Sequence, residues 1–192
     1  FDRLEVRDFM AYLKVLANPS DDASLLRIAN VPARGLSDTT MERILAASHE
    51  RKRSVFAVMR HTDVQGQFQE RTQQAIRDFL TFLESARQRL DQSVVGQPLG
   101  AWADGVLSEA GYWDHLRRTE RNPETADNRM RSLKEMIATL DAPGPNAGLP
   151  ALERLTESLA DLALDTDRED DSEERPGDEV TLITMHSCKG LE

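Results

Sequence analysis

Cysteine occurs once in these 192 residues, at Cys188, and aromatic residues make up only 5%. A single thiol excludes an internal disulfide and a multi-thiolate zinc site, and it suits a reducing compartment, so a cytoplasmic location is expected. With few aromatic side chains, the core must be built from Leu, Ala, Val, Ile and Met, a set that favours helices. Gly and Pro are also few, at 10 and 8. No apolar run approaches the roughly 20 residues of a membrane helix, and the start lacks the basic, apolar and small regions of a signal peptide. No GxxxxGK(S/T) phosphate loop occurs, so the chain has no such device for cradling a triphosphate. Beginning on Phe1 and closing on Glu192, it reads as a piece of something longer.

Positive charge is in short supply as well. The formal net charge is −10, which argues against coating nucleic acid by bulk electrostatics. The deficit is local, however, because Asp165 to Glu179 holds nine acidic residues against two arginines, and without that run the chain is nearly balanced.

What is abundant is helical periodicity. Val6, Phe9, Met10, Leu13, Leu16 and Ala17 share a face, which predicts a helix from Leu4 to Ala17 stopped by Asn18-Pro19. Ser20, Asp21 and Asp22 offer caps for a second short helix through Leu25 and Ile28, ending before Val31-Pro32. After the loop VPARGLSD, Thr39 with Glu42 fits a capping box opening a helix through Met41, Ile44, Leu45 and Ser48. Further helices are predicted over Val55 to Arg60, Phe68 to Leu90, Leu99 to Glu109, Tyr112 to Arg118, Ala126 to Leu140 and Leu149 to Leu164. The acidic run reads as a solvated, flexible linker with nothing to bury. Val180 to Met185 then favours a strand buried on both faces, whose sheet partners lie outside the chain. The fold class expected is therefore all-α, an irregular multi-helix bundle, with a short terminal strand belonging to an α/β domain.

Few residues carry chemistry on their own. His186 and Cys188 are a poor metal pair, since no further thiol or oriented third group accompanies them, and no metal site is expected. Trp102, Tyr112 and Trp113 sit at amphipathic positions and read as core residues, not base-stacking platforms. The basic stretch Glu50 to Ser54 suits a helix C-terminus without any ligand. Arg34-Gly35 is more open: a glycine-containing loop can turn amides and a guanidinium toward a phosphate, yet residue types alone favour a plain helix-to-helix turn.

Three stretches together go further. FDRLEVRDFMAYLKVLANPSDDASLLRIANVPARGL resembles the segment of UvrD/Rep/PcrA-type superfamily 1A DNA helicases that leaves the second motor domain and enters its insertion. VTLITMHSCKGLE is similar to helicase motif V of that family, and the middle, including NRMRSLKEM and ALERLTESLADLALDTD, resembles its looser insertion pattern. The resemblance implies a 2B subdomain, with residues 1–17 as an exit helix from motor domain 2A, 18–164 as the helical 2B body, 165–179 as a linker and 180–192 as the return to 2A.

It also implies the function. The parent would be an ATP-dependent helicase using ATP and magnesium to move 3′ to 5′ on DNA, with partners in its own 1A, 1B and 2A domains and in replication or repair proteins. The fragment alone, without Walker motifs, would bind no cofactor and be inactive. Carried over by position, the duplex-contacting loop falls on Arg34, Gly35, Leu36 and Ser37, with Thr39 just beyond, and Ser37 stands where the family usually has glycine. Thr184, His186 and Lys189 fall on single-strand contacts, and Glu192 on the nucleotide ribose. The expected hinges of a rigid-body swing lie at about Ala17 to Asp22 and in the acidic run. The rival expectation is a helical protein-interaction module that recruits replication or repair partners.

Overall fold

The computed structural model describes residues 3–142 and 148–172. Among them the chain forms ten helices in the order α1 Leu4–Ala17, α2 Asp22–Ile28, α3 Asp38–Arg51, α4 Val55–Met59, α5 Thr62–Gln65, α6 Glu70–Asp91, α7 Leu99–Glu109, α8 Tyr112–Thr119, α9 Pro123–Thr139 and α10 Ala151–Ser172. The fold is all-α, as composition and periodicity implied. The terminal strand expected at Val180 to Met185 lies outside the described residues.

Local chemistry sets four of the helix starts. Asp21 accepts from Ser24 N–H at 3.0 Å to open α2, Ser54 accepts from Ala57 N–H at 3.3 Å to open α4, and Asn122 accepts from Glu124 N–H at 2.9 Å with Pro123 leading α9. α3 starts two residues earlier than the capping box predicted. Its N-cap is Ser37, whose Oγ accepts from Thr40 N–H at 3.3 Å, so Thr39 sits exposed inside the first turn. The reason is apolar. With Ser37 as cap, Leu36 before it and Met41 four residues after it are both buried beside one cavity, the arrangement of a hydrophobic staple. α7 borrows its cap from a distant residue: the Asp141 carboxylate accepts from Leu99 N–H at 2.6 Å and from Gly100 N–H at 3.1 Å. Gly100 leaves the room for this, since a Cβ there would lie 2.6 Å from Asp141 Oδ2.

α10 also departs from expectation, running on to Ser172 where an acidic loop was predicted from Asp165. Once a helix is nucleated, each further residue costs little, so a helix can continue into acidic sequence although anionic residues are unfavourable near its C-terminus. The remainder of the expected linker, residues 173–179, lies outside the described residues.

The core is continuous. α6 buries Ile76, Phe79, Leu80, Leu83, Ala86 and Leu90 along one face. α1 packs against α2, α6, α9 and α10, and buries Phe9, Tyr12, Leu13 and Leu16 together with Leu25 and Ile28 of α2. Residues 1–17 thus share their core with the helices that follow. Arg87 of α6 donates from Nη1 to Leu16 O at 2.7 Å and Ala17 O at 2.9 Å, closing the C-terminus of α1 with a cation. Tyr112 is wholly buried, while Trp102 and Trp113 pack half-buried against the core, Trp102 donating from Nε1 to Ala86 O at 3.0 Å.

Candidate nucleic-acid interface

The loop between α2 and α3 is closed from within. Asn30 Oδ1 accepts from Arg34 N–H at 2.9 Å, and the Val31–Pro32 peptide is cis. Gly35 has φ +87°, a left-handed value that a side chain would strain, and it lies over α6, where Ala75 Cβ would be 3.6 Å from an added Cβ. Leu36 turns inward and is fully buried, whereas Gly35, Ser37 and Thr39 face outward.

The consequence is a run of available donors. The amides of the exposed residues Gly35, Ser37, Asp38 and Thr39 make no hydrogen bond to another described residue, and the last of them belong to the first turn of α3, while the wholly buried Leu36 keeps its own amide out of reach. Successive free amides at a helix N-terminus are suited to an anion. The exposed Asp38 carboxylate in that turn opposes one, which leaves the Gly35 to Ser37 side as the approach.

The Arg34 side chain is engaged by its own loop and by the helices behind it. Its Nε donates to Pro32 O at 3.2 Å, and its Nη2 donates to Val31 O at 3.1 Å and to the Tyr12 hydroxyl at 2.7 Å. Its guanidinium carbon stands 4.9 Å from the Phe79 ring centroid and 6.0 Å from that of Phe82. The half-buried side chain is therefore packed into the body behind the loop.

Behind Arg34 lies a polar cluster that the sequence did not reveal. The Tyr12 hydroxyl donates to Val31 O, and its ring meets those of Phe82 and Tyr112 edge-on, with centroids 6.3 and 6.1 Å apart. Tyr112 Oη donates to Asp8 Oδ2 at 2.9 Å, and Asp8 Oδ1 pairs with Arg27 Nη2 at 2.8 Å. Nearby, the buried Glu5 faces Arg129 Nε at 3.9 Å, and Arg129 also pairs with Glu120 at 2.8 Å. A polar Asp8 and a hydroxyl-bearing Tyr12 on the apolar face of α1 were the only sequence signals of this cluster.

Burial pushes the Tyr112 hydroxyl far above its usual range, and the adjacent Asp8 carboxylate adds to the effect. Tyr12 is raised too, by burial first, although Arg34 opposes the shift. The folded state therefore keeps protons that unfolded tyrosines release near their ordinary value of 10.0. Stability should be intact below that pH and fall as pH rises above it. Melting temperatures between about pH 8 and pH 11 should show this decline, and Tyr112→Phe should flatten it.

Residues Thr184, His186, Lys189 and Glu192, together with Cys188, lie outside the described residues. Among the described residues no group of three or more His, Cys, Asp or Glu side chains could hold a metal ion, and no helix is long and apolar enough to cross a membrane.

The described residues form an all-α body with a loop of unpaired amides at the start of α3. The chain belongs to the UvrD-like helicase C-terminal domain family, whose model matches residues 1–192. It is 34% identical over its whole length to an ATP-dependent DNA helicase PcrA of Staphylococcus epidermidis, and 31% identical to an ATP-dependent DNA helicase PcrA of Staphylococcus aureus. In both cases all of this chain is matched, and it spans 25% of the relative's length.

Proposed function

We propose that this chain is the 2B subdomain of an ATP-dependent 3′-to-5′ DNA helicase, with residues of motor domain 2A at its ends. It contacts duplex DNA and regulates unwinding by moving as a rigid body. The observation that carries the duplex contact is the set of free amides at Gly35, Ser37, Asp38 and Thr39 beside the exposed Ser37 side chain. Such neutral donors suit a phosphate backbone and carry no sequence preference. The shared core of α1 and the remaining helices supports movement as one piece. ATP and magnesium belong in this reading to the parent's motor domains. From the resemblance, Thr184, His186 and Lys189 would meet the single strand and Glu192 the nucleotide, within motif V.

The test is fluorescence anisotropy of a labelled duplex titrated with the purified chain across a salt series. Affinity should fall as salt rises, and Gly35→Val should weaken it about tenfold, because the left-handed backbone at this position resists a branched side chain. Binding that is undetectable or indifferent to salt would overturn the reading and favour a protein-interaction module.

A further inference from the structure

We infer that Arg34 and Tyr12 form an internal clasp that positions the Gly35 to Ser37 loop for a nucleic-acid phosphate, with Arg34 acting through the loop and not as the phosphate ligand. The inference rests on the proposed duplex contact and deepens it. An arginine grips a phosphate in two-point fashion through either its Nε–Nη2 edge or its Nη1–Nη2 edge. Both edges need Nη2, and in this fold Nη2 is engaged twice, with Val31 O at 3.1 Å and Tyr12 Oη at 2.7 Å, while Nε is held by Pro32 O at 3.2 Å. Neither edge is free. The plane of the group is occupied as well, since Phe79 and Phe82 of α6 stand against it.

Tyr12 completes the clasp by joining both ends of the loop's first half. Its hydroxyl donates to Val31 O and accepts from Arg34, so one oxygen ties the strand-like entry of the loop to the residue just before Gly35. Tyr12 is completely buried and cannot touch a ligand. Its position is fixed by the rings of Phe82 and Tyr112, and Tyr112 in turn is anchored on Asp8 and through it on Arg27. The loop that offers the amides is thereby referenced to α1, α2, α6 and α8 at once. Both residues are positioning residues: they fix where the amides of Gly35 and Ser37 point.

Tyr12→Phe separates this from direct contact, because it removes one buried hydroxyl and no charge. In the purified chain, Tyr12→Phe and Arg34→Lys should each weaken duplex binding about five- to tenfold while leaving the slope of log affinity against log salt unchanged. Amide hydrogen exchange at residues 33–37 should accelerate about tenfold in both, with the rest of the chain unaffected. A direct phosphate role predicts the opposite pattern: Tyr12→Phe binds as the wild type does, and Arg34→Met makes the slope shallower by about one. Either of those results overturns the clasp while leaving the duplex reading intact. A wild-type chain that binds no duplex overturns the duplex reading, and the clasp's purpose with it. An Arg34→Lys chain with full affinity would also sink the inference, because a point charge cannot fill three donor positions and a planar stack.

Discussion

Asp8→Ala should lower the free energy of unfolding by about 3 kcal/mol, measured by urea denaturation with an unchanged slope. Asp8 is only 3% exposed, and its two oxygens serve different helices, one accepting from Tyr112 of α8 and the other pairing with Arg27 of α2. Truncation leaves the fully buried Tyr112 hydroxyl without an acceptor and Arg27 without its anion. Arg27 is poorly placed to absorb that loss, because its Nε is already buried without a partner. One third of its side chain reaches solvent, however, which keeps the expected cost at the lower end for a broken buried pair. Asp8→Asn retains an acceptor for Tyr112 and should cost about half as much. A loss below about 1 kcal/mol for the alanine variant would mean that the cluster is not the junction described above.

Phe79→Ala should cost about 3–5 kcal/mol, from lost apolar transfer and from the cavity left in α6. Phe79 is 2% exposed, so little relaxation by water is available to it. Its second role can be read separately. Arg34 lies 4.9 Å from its ring centroid, so Phe79→Leu, which nearly preserves apolar volume, should still lose about 1 kcal/mol of coupling to Arg34. A double-mutant cycle with Arg34→Met measures that coupling in the same denaturation experiment. Additive effects would show that the ring serves the core alone.

The helices were legible in the sequence wherever one face is apolar for several turns. The limits of α1 and α7 agree with the periodicity residue for residue, and the buried face of α6 is the one the pattern marks. Short or extended elements were not. α5 is four residues long, too short for a period to register, and is held in place partly by Gln65 Nε2 donating to Met59 O at 2.8 Å. The extension of α10 into acidic sequence was missed because composition speaks of solvation, whereas propagation depends on the helix already formed before it.

The loop was found by resemblance, and its glycine and serine do face outward. The orientation of Arg34 could not have been read from its neighbours in sequence. Besides Val31 and Pro32 of its own loop, its partners come from α1, 22 positions earlier, and from α6, far beyond the loop, so tertiary packing helps to decide its direction. The same holds for Asp8 and Glu5, charged residues whose burial only three-dimensional pairing permits.

The clamp of Arg87 on the last turn of α1 bears on how force would pass through this domain. α1 is a rod of 14 residues, about 20 Å long, gripped at its far end by that guanidinium and along its side by Tyr12 and Asp8. That grip joins the end of α1 to the helix that carries Phe79 and Phe82, so a load on α1 is shared with α6 and, through Tyr12, with the Gly35 loop.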